Sequence, residues 1–531
     1  MGKIFKGIIN VQPEGAEQIN ECPSEAYTVS IEPSDLVEEA TKEVNSGENV
    51  TFTITNNSNK TNEKLTCTNG QSGSISGNTI TINKVTNNTT CTLTYEVKPI
   101  IQAVNSTYEE KLWQYKHDIT KIVIENTITE KAGETASWDI SDAGDSSVMA
   151  RIVPNTEDAS TYTAYIQADG KVIANTDSSY LFYYFDQAET IEGLENLDTS
   201  EVTNMQGMFS SLGRYTTTFN LDVSSLDTKN VTNMQGMFIS TGRNATSFNL
   251  VGLENFDTSR VTNMYAMFQE TAYTSSSFEI DLSNWNTSNV ISMESMFYSA
   301  GYSATKWSVG DLSNWNTSNV TDMSYMFWNS GYSTTEWYVG DLSNWDTSSV
   351  TDMSHMFTYT GRNATTFNSI GNFKIPDGCN ALEFASGSLM FTGNIIMEGT
   401  FSDYENMFYH TATNPDSRVN LIYNSTNEVL VDELISLYGP SGSSSQGNIY
   451  KMSSVSDIYK VSVTVLNGTI DGETVKAVNS GDSVTFTTNP SSGYTSPTVT
   501  CTNSQSGSIS GSTLNVSNIR SDTTCTVTYL R

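Results

Sequence analysis

Few residues in this chain combine types and spacings that could support catalysis. The chain has three histidines, His117, His355 and His410. None of them lies in a zinc-hydrolase or serine-hydrolase motif. The acid pair Glu109–Glu110 and the carboxyl of Asp139, beside Trp138, could be taken for a glycosidase dyad, but nothing in the sequence sets the carboxyl separation that such catalysis needs. We therefore expect no enzymatic activity and no cofactor.

Two columns of repeated residues suggest metal ligands. Methionines recur at a regular spacing, but no Cys or His accompanies them, so we expect packing rather than a soft-metal stripe. Asp281, Asp311 and Asp341 recur at equal spacing and are candidates for a calcium ladder. Because Gly193 and Gly252 take the same place in other repeats, we favour a turn position and predict no metal site.

The spacing of the cysteines predicts disulfides. Two pairs share one spacing within duplicated segments: Cys67 with Cys91, and Cys501 with Cys525. A disulfide in each pair would stabilise a small domain by about 3 kcal/mol, whereas buried free thiols are the alternative. Cys22 and Cys379 are left over, and the absence of a CxxC motif argues against zinc.

The duplicated segments lie at opposite ends of the chain. Residues 44–95 contain VNSGENVTFTIT and TNNTTCTLTY, and residues 478–529 contain VNSGDSVTFTTN and SDTTCTVTY. Apolar residues alternate with polar ones between turns rich in Gly and Asn, which is typical of strands. We predict a small β-sandwich over 27–98 and another over 459–531.

The middle of the chain repeats one phrase six times, and DLSNWNTSNVTDMSYMF at 311–327 is its fullest form. Its valines stand at positions 202, 231, 261, 290, 320 and 350. Their nearly constant spacing suits one coil of a solenoid, in which each coil buries its apolar edge against its neighbours. We expect the leucines, tryptophans, methionines and phenylalanines that recur in every coil to form stacked core columns, over 181–411.

Composition excludes several partners. The chain has 531 residues, with 26 Lys and Arg against 59 Asp and Glu, and a formal charge of −33. This charge repels nucleic acid and anionic bilayers, so we expect neither as a partner. No apolar run reaches the roughly 18–20 residues of a spanning helix, and we expect no membrane insertion. Residues 1–15 lack the apolar core of a secretory signal, so we expect a removed leader or export without one.

The repeats resemble a known family. VTNMQGMF at 202–209 and 231–238, and VTDMS followed by Tyr-Met-Phe or His-Met-Phe at 320–327 and 350–357, are similar to the BspA-like leucine-rich-repeat family of bacterial surface proteins. The resemblance implies a right-handed solenoid, displayed outside a cell and used for attachment. It also implies a mixed α/β N-terminal cap at 99–180. The terminal sandwiches resemble Ig-like or β-grasp-type modules of Gram-positive surface proteins.

The end of the repeats carries a helical pattern. Residues 428–438 show helical spacing, and we expect them to cap the last coil within a segment at 412–458. The stretch at 439–445, rich in Gly and Ser, predicts a flexible connection to the final sandwich.

The candidate binding residues lie where the repeats vary. Two columns flank the Met-x-x-Met-Phe phrase, are free of core and turn duties by pattern, and become aromatic in the later coils. The candidates are Tyr298, Tyr325, Trp328, His355 and Tyr359. Such rings suit stacking on sugars or anchoring a protein loop, although ordinary surface aromatics or contacts with a neighbouring chain or the cap are alternatives. We expect His355 itself to be exposed.

These observations predict a multidomain, mainly β, non-catalytic attachment protein that presents a rigid solenoid face to a glycan or protein receptor on a cell surface. The alternative is a bacteriophage virion protein, a fibre or decoration component, built from the same modules and docked to other virion proteins through residues 1–26. Both hypotheses place the chain outside the cell, and both are compatible with homo-oligomers.

Overall fold

The computed structural model describes residues 25–55, 60–104, 111–452, 458–472, 474–479, 483–502, 506–517, 519 and 523–530. Residues 1–24, which hold most of the predicted docking segment and Cys22, lie outside this range. The chain divides into two compact units, Met1–Pro99 and Ile100–Arg531. The described residues are mainly β, with many small sheets and one α-helix.

The described residues of the first unit form seven strands in two sheets. They are β1 (Ala26–Glu32), β2 (Thr41–Asn45), β3 (Val50–Thr53), β4 (Lys60–Cys67), β5 (Gly73–Ser76), β6 (Thr79–Ile82) and β7 (Thr89–Val97), with single 3-10 turns at Ser34–Leu36 and Thr68–Gly70. The sheet orders are β2-β1-β7-β4 and β3-β6-β5. Alternate residues point inward, so Val29 and Ile31 of one sheet and Phe52 and Ile80 of the other share one buried cluster.

The second unit begins with a five-stranded sheet in the order β13-β8-β11-β10-β9. Its strands are β8 (Ile119–Glu125), β9 (Ala136–Asp139), β10 (Val148–Pro154), β11 (Tyr162–Ala168) and β13 (Ile191–Glu192). Within the predicted α/β cap at 99–180, the described residues hold no α-helix. They hold a single 3-10 turn at Leu112–Tyr115, which buries Leu112 and Trp113.

The repeats follow, joined by short parallel strands. These are β12 (Val172–Ile173), β14 (Leu197–Asp198), β15 (Thr218–Asp222), β16 (Ser247–Val251), β17 (Ser277–Glu279), β18 (Lys306–Ser308), β19 (Glu336–Tyr338) and β20 (Thr366–Phe367). Three 3-10 turns lie beside them, at Leu194–Asn196, Leu253–Asn255 and Leu342–Asn344. Equivalent residues pair, as Trp307 does with Trp337. The sheet β15-β16 is separate from the sheet β17-β18-β19-β20.

A second ladder of parallel bridges runs along the turns of the repeats. It joins Asp177, Asn204, Asn233, Asn263, Ser292, Asp322, Asp352, Asn380 and Asp403 in order. After each rung, every second N–H donates to the next repeat, as Met205 N does to Asn233 O at 2.9 Å and Gly207 N to Gln235 O at 2.9 Å. The intervening N–H groups close turns within the repeat, such as Met208 N to Met205 O at 3.2 Å. Consecutive repeats are thus joined along two separate edges.

The columns predicted from the sequence are buried. The twelve methionines from Met205 to Met356 in the Met-x-x-Met phrases have no exposed surface. The phenylalanine that follows each phrase stacks on its counterpart, as Phe238 does on Phe268 at 5.4 Å and Phe297 on Phe327 at 5.4 Å. Adaptable Met side chains and flat rings fill the space between repeats.

The parallel pairing continues beyond the predicted end of the repeats. Strands β21 (Asn372–Ile375), β22 (Gly393–Met397), β23 (Val419–Ile422) and β24 (Ile449–Met452) form one sheet in that order. Helix α1 (Glu428–Tyr438) lies between β23 and β24 in the chain, so it is a crossover within the sheet rather than a cap after it. Residues 439–445 are also not a loose connection, because Ser445 is 7% exposed and its hydroxyl accepts from His410 N at 3.0 Å.

The described part of the final module forms two four-stranded sheets, in the orders β27-β25-β32-β29 and β26-β28-β31-β30. Its strands are β25 (Ile458–Leu466), β26 (Gly468–Asp471), β27 (Val475–Asn479), β28 (Val484–Pro490), β29 (Ser496–Cys501), β30 (Ser506–Ser510), β31 (Thr513–Ser517) and β32 (Thr523–Leu530). The side chains of Val461, Phe486 and Val527 are buried in one cluster between the two sheets. Strand β26 has no counterpart among the described strands of the first unit.

Candidate functional site

The variable column that holds Tyr325 and His355 requires a particular backbone conformation, which its sequence pattern does not reveal. Its members are Gly207, Gly236, Ala266, Ser295, Tyr325 and His355. All six have left-handed φ angles, between 52° and 59°. A residue with a side chain costs about 1 kcal/mol in this conformation, which glycine adopts freely. The prediction that this column is free of turn duties is wrong, and its aromatic members are held at strained positions.

Four of the five predicted binding residues, all except Tyr359, contact one another. Tyr359 lies in the turn that follows His355. We call the five residues the aromatic cluster. Ring centroids are 4.3 Å apart for Tyr298 and Trp328, and 4.6 Å for Tyr325 and His355, whose planes differ by 19°. Tyr325 meets Trp328 edge-on at 6.4 Å. The His355 side chain is 17% exposed, so the expectation that it is exposed is wrong. Much of the ring surface is therefore covered by neighbouring rings.

Carboxylates border the aromatic cluster. His355 Nδ1 lies 3.5 Å from Glu383 Oε2. Burial lowers the pKa of His355, although the charges of Glu383 and Asp352 oppose this shift. Burial likewise raises the pKa of Tyr325, with further raising by Asp352, Glu383 and Glu294. The neutral forms of both rings are favoured.

Tyr359 is the most exposed member of the cluster and carries a cation on its face. The Arg362 guanidinium lies 5.0 Å from the Tyr359 ring centroid, and Arg362 Nη1 donates to Gly387 O at 2.9 Å. Gly387 has φ +73°, and an added Cβ would lie 2.2 Å from the Tyr359 ring. Glycine at 387 thus makes room for Tyr359 beneath Arg362.

A second aromatic set escaped the sequence prediction, and we call it the tyrosine row. Tyr273, Tyr302 and Tyr332 stack with centroids 4.7 Å apart at each step and interplanar angles of 4° and 16°. The sequence did contain evidence for this row, because its tyrosines occupy equivalent positions in successive repeats. The residues at that position are Arg214, Arg243, Tyr273, Tyr302, Tyr332 and Arg362. The two columns that flank the Met-Phe phrase do not include it.

The tyrosine row adjoins the aromatic cluster. Burial raises the pKa of Tyr298, and the charge of Glu270 and the nearby Tyr325 and Tyr273 hydroxyls raise it further. Arg243 covers the outer face of Tyr273 at 4.5 Å. Arg362, which follows Tyr332 in the column of the row, lies 5.0 Å from the Tyr359 ring centroid and so connects the two sets.

The carboxylates of the predicted calcium candidates accept hydrogen bonds from backbone N–H groups within turns. Ser283 N donates to Asp281 Oδ1 at 3.0 Å, and Asp311 and Asp341 receive the same bond from the N–H two residues on. A Cβ on Gly340 would lie 2.0 Å from Asp311 Oδ1, so the next repeat closes over this carboxylate. Within the described residues, no three His, Cys, Asp or Glu side chains are grouped to hold a metal.

The remaining reactive groups have structural surroundings. Disulfides join Cys67 to Cys91 and Cys501 to Cys525. Cys379 is a buried free thiol, and burial raises its pKa to about 12. The Asp139 carboxylate accepts from Ser141 N at 2.9 Å and Ser146 N at 2.9 Å, which occupies both of its oxygens in a turn. Glu109 and Glu110 lie outside the described residues.

A comparison with models of protein families finds a match in the repeat region. The family model described as "Mycoplasma protein of unknown function, DUF285" matches residues 176–309 and again residues 302–418. These two segments are therefore similar to that repeat family, over the same span as the BspA-like phrases. Searches of curated proteins and of solved structures each found no match. No helix among the described residues is long and apolar enough to cross a membrane.

Proposed function

We propose that this chain is a non-catalytic attachment protein, displayed outside the cell, that binds a surface glycan or protein through the aromatic cluster. The observation that carries the proposal is the grouping of Tyr298, Tyr325, Trp328, His355 and Tyr359 on adjacent repeats. Aromatic side chains contribute large contact area at small entropic cost, and they dominate binding hot spots. Holding three of them at left-handed backbone positions favours a role beyond packing.

The proposed scaffold is a right-handed solenoid of the leucine-rich-repeat kind, flanked by Ig-like modules. The two parallel ladders between repeats support it, since each repeat contacts only its neighbours in the manner of such arrays. Stacked Met and Phe columns would keep the spacing of the surface side chains fixed. A fixed spacing reduces the ordering cost of binding.

The test replaces cluster residues by the residue that another repeat carries at the same place. Tyr298 and Trp328 both correspond to Gln269, so the double variant Tyr298→Gln/Trp328→Gln keeps the repeat consensus. We expect binding of the labelled chain to a glycan array, and to bacterial and animal cells in flow cytometry, to fall by about tenfold or more.

The matched control is Tyr338→Ser, because Ser308 pairs with Tyr338 at the equivalent position of β18. The control should bind as the wild type does, and both variants should keep its thermal midpoint within a few degrees. Unchanged binding by a folded double variant would disprove the role of the cluster.

A further inference from the structure

Two rings of the tyrosine row, Tyr273 and Tyr302, have both of their faces covered. Each face of Tyr302 is covered, by Tyr273 on one side and Tyr332 on the other, at 4.7 Å. Arg243 covers the outer face of Tyr273. Sugars that stack on aromatic rings need an open face, and neither Tyr273 nor Tyr302 offers one. Ring edges are electropositive and phenol hydroxyls can donate, so the row suits oxygen atoms of a ligand.

The hydroxyl groups of the tyrosine row are available to a ligand. Within the residues that the structure describes, no protein group forms a hydrogen bond with the hydroxyl of Tyr273, Tyr302 or Tyr332. All three side chains are half-buried, which restricts their rotation. Three hydroxyl donors without a protein partner among the described residues therefore recur on neighbouring repeats.

The chain segments that carry the row contain no acidic residue. The six equivalent segments are 213–217, 242–246, 272–276, 301–305, 331–335 and 361–365. None contains Asp or Glu, although the chain has 59 acidic residues in 531. Three of them contribute arginines, at positions 214, 243 and 362. A local cationic strip in a chain of net charge −33 marks a place where an anion can approach.

The two ends of the row differ. Arg243 Nε lies 2.8 Å from Glu270 Oε2, so this carboxylate neutralises that end. Arg362 has no carboxylate within salt-bridge distance among the described residues, and one Nη donates to a backbone carbonyl. Arg362 lies in the repeat next to Tyr332, since the N–H of the following residue, Asn363, donates to Tyr332 O at 3.0 Å. The Arg362 end of the row therefore has N–H donors available for a ligand.

We propose that the tyrosine row and Arg362 bind the carboxylate of an acidic sugar within a glycan. Arg362 pairs with the carboxylate, and the tyrosine hydroxyls donate to the neighbouring sugar oxygens. An isolated carboxylate fits better than a polyanion, since the charge of −33 opposes the approach of many charges. This inference rests on the proposed attachment function and names the ligand class for the same surface.

The test compares 3′-sialyllactose with lactose, which differ only by the acidic sugar, in calorimetric titrations of the full chain. We expect sialyllactose to bind at least about tenfold more tightly, as a charge-assisted contact requires. Arg362→Gln should reduce its affinity to the level of lactose, and Arg362→Lys should restore part of it. Arg243→Gln should have a smaller effect, because Glu270 already pairs with Arg243.

Tyr302→Phe isolates the hydroxyl, because the phenyl ring keeps the stack. We expect a loss of about three- to tenfold in affinity for sialyllactose with an unchanged thermal midpoint. Equal affinity for the two sugars, or a folded Arg362→Gln variant that binds as the wild type does, would overturn the inference. Tighter binding to a hyaluronan hexasaccharide than to sialyllactose would overturn the preference for an isolated charge.

The two proposals can fail separately. If labelled chain binds cells, and Tyr298→Gln/Trp328→Gln abolishes this binding while the acidic and neutral sugars bind alike, the attachment function stands and the acidic-sugar inference is wrong. If the double variant binds cells normally while Arg362→Gln abolishes sialyllactose binding, the acidic-sugar inference stands and the aromatic cluster is not the attachment site.

Discussion

The buried threonine column offers a direct test of how the repeats hold together. Its hydroxyls donate to a backbone carbonyl of the next repeat, at distances of 2.9 to 3.1 Å. Its members are Thr199, Thr228, Thr258, Thr287, Thr317 and Thr347. Thr317 has no exposed surface, and its Oγ1 lies 2.9 Å from Asp346 O. Thr317→Val keeps the shape of the side chain and removes this donor.

The expected loss follows from the buried carbonyl that remains. Leaving a buried acceptor without its donor costs about 1–3 kcal/mol, while the added methyl group returns up to about 0.8 kcal/mol of apolar burial. We therefore expect Thr317→Val to lower the free energy of unfolding of the repeats by about 1–2 kcal/mol. Thr321 is the matched control, because it is exposed and its hydroxyl also bonds the preceding repeat, to Ile291 O at 3.3 Å. Thr321→Val should cost below about 0.5 kcal/mol, since water can replace the lost donor.

Urea unfolding followed by tryptophan fluorescence measures the stability of both variants in the repeats that carry the substitutions. Six of the eight tryptophans lie between positions 285 and 345, so the signal reports on these repeats. The difference in midpoint multiplied by the slope gives the change in unfolding free energy. Equal midpoints for Thr317→Val and Thr321→Val would refute the assignment of the buried hydroxyl ladder as a source of stability.

Three further predictions concern single positions. Ile291→Thr fills a gap in an exposed threonine column, where a hydroxyl can donate to Thr262 O, and should change the free energy of unfolding by less than about 0.5 kcal/mol in the same urea assay, as for Thr321→Val. A Cys501→Ala change opens the loop that the Cys501–Cys525 disulfide closes and should cost the final module about 3 kcal/mol, measured as the difference in its urea midpoint from the oxidised wild type. The reduced wild type should match the variant. Burial, and then repulsion by two aspartates of the following repeats, raises the pKa of Glu294, so its contribution to stability is full below the ordinary carboxyl pKa and is lost as pH rises. Glu294→Gln should therefore raise the thermal midpoint at pH 7 and leave it unchanged below about pH 4, and equal shifts at both pH values would contradict this.

The repeat columns were predictable because identical residues recur at one spacing. A Met or Trp that returns once in every repeat can satisfy its neighbours only by stacking, and the structure buries Met293, Met323 and Trp315 accordingly. The tyrosine row obeys the same period, yet half of its column is Arg. A column of mixed residue types is harder to detect than one of constant type.

Other features were not predictable because they depend on backbone conformation. A left-handed φ at position 325 cannot be deduced from a tyrosine, since L-residues disfavour it. Only the glycines at 207 and 236 pointed to it, and variation at 295 and 355 obscured that evidence. The helix at Glu428–Tyr438 was located by its spacing, but its place between two paired strands depends on contacts distant in sequence. The 3-10 turn at Leu112–Tyr115 is too short to leave a periodic pattern.

The bridge ladder along the turns has a genetic consequence. Each rung presents the same donors and acceptors to the rung that follows, from Asp177 to Asp403. Unequal recombination that deletes or duplicates one whole unit would rejoin matching rungs, whereas insertion of a single residue would misalign the hydrogen bonds around it. Genes for such chains can therefore gain or lose length in steps of one whole repeat, and each step changes how many side chains the protein offers to a ligand.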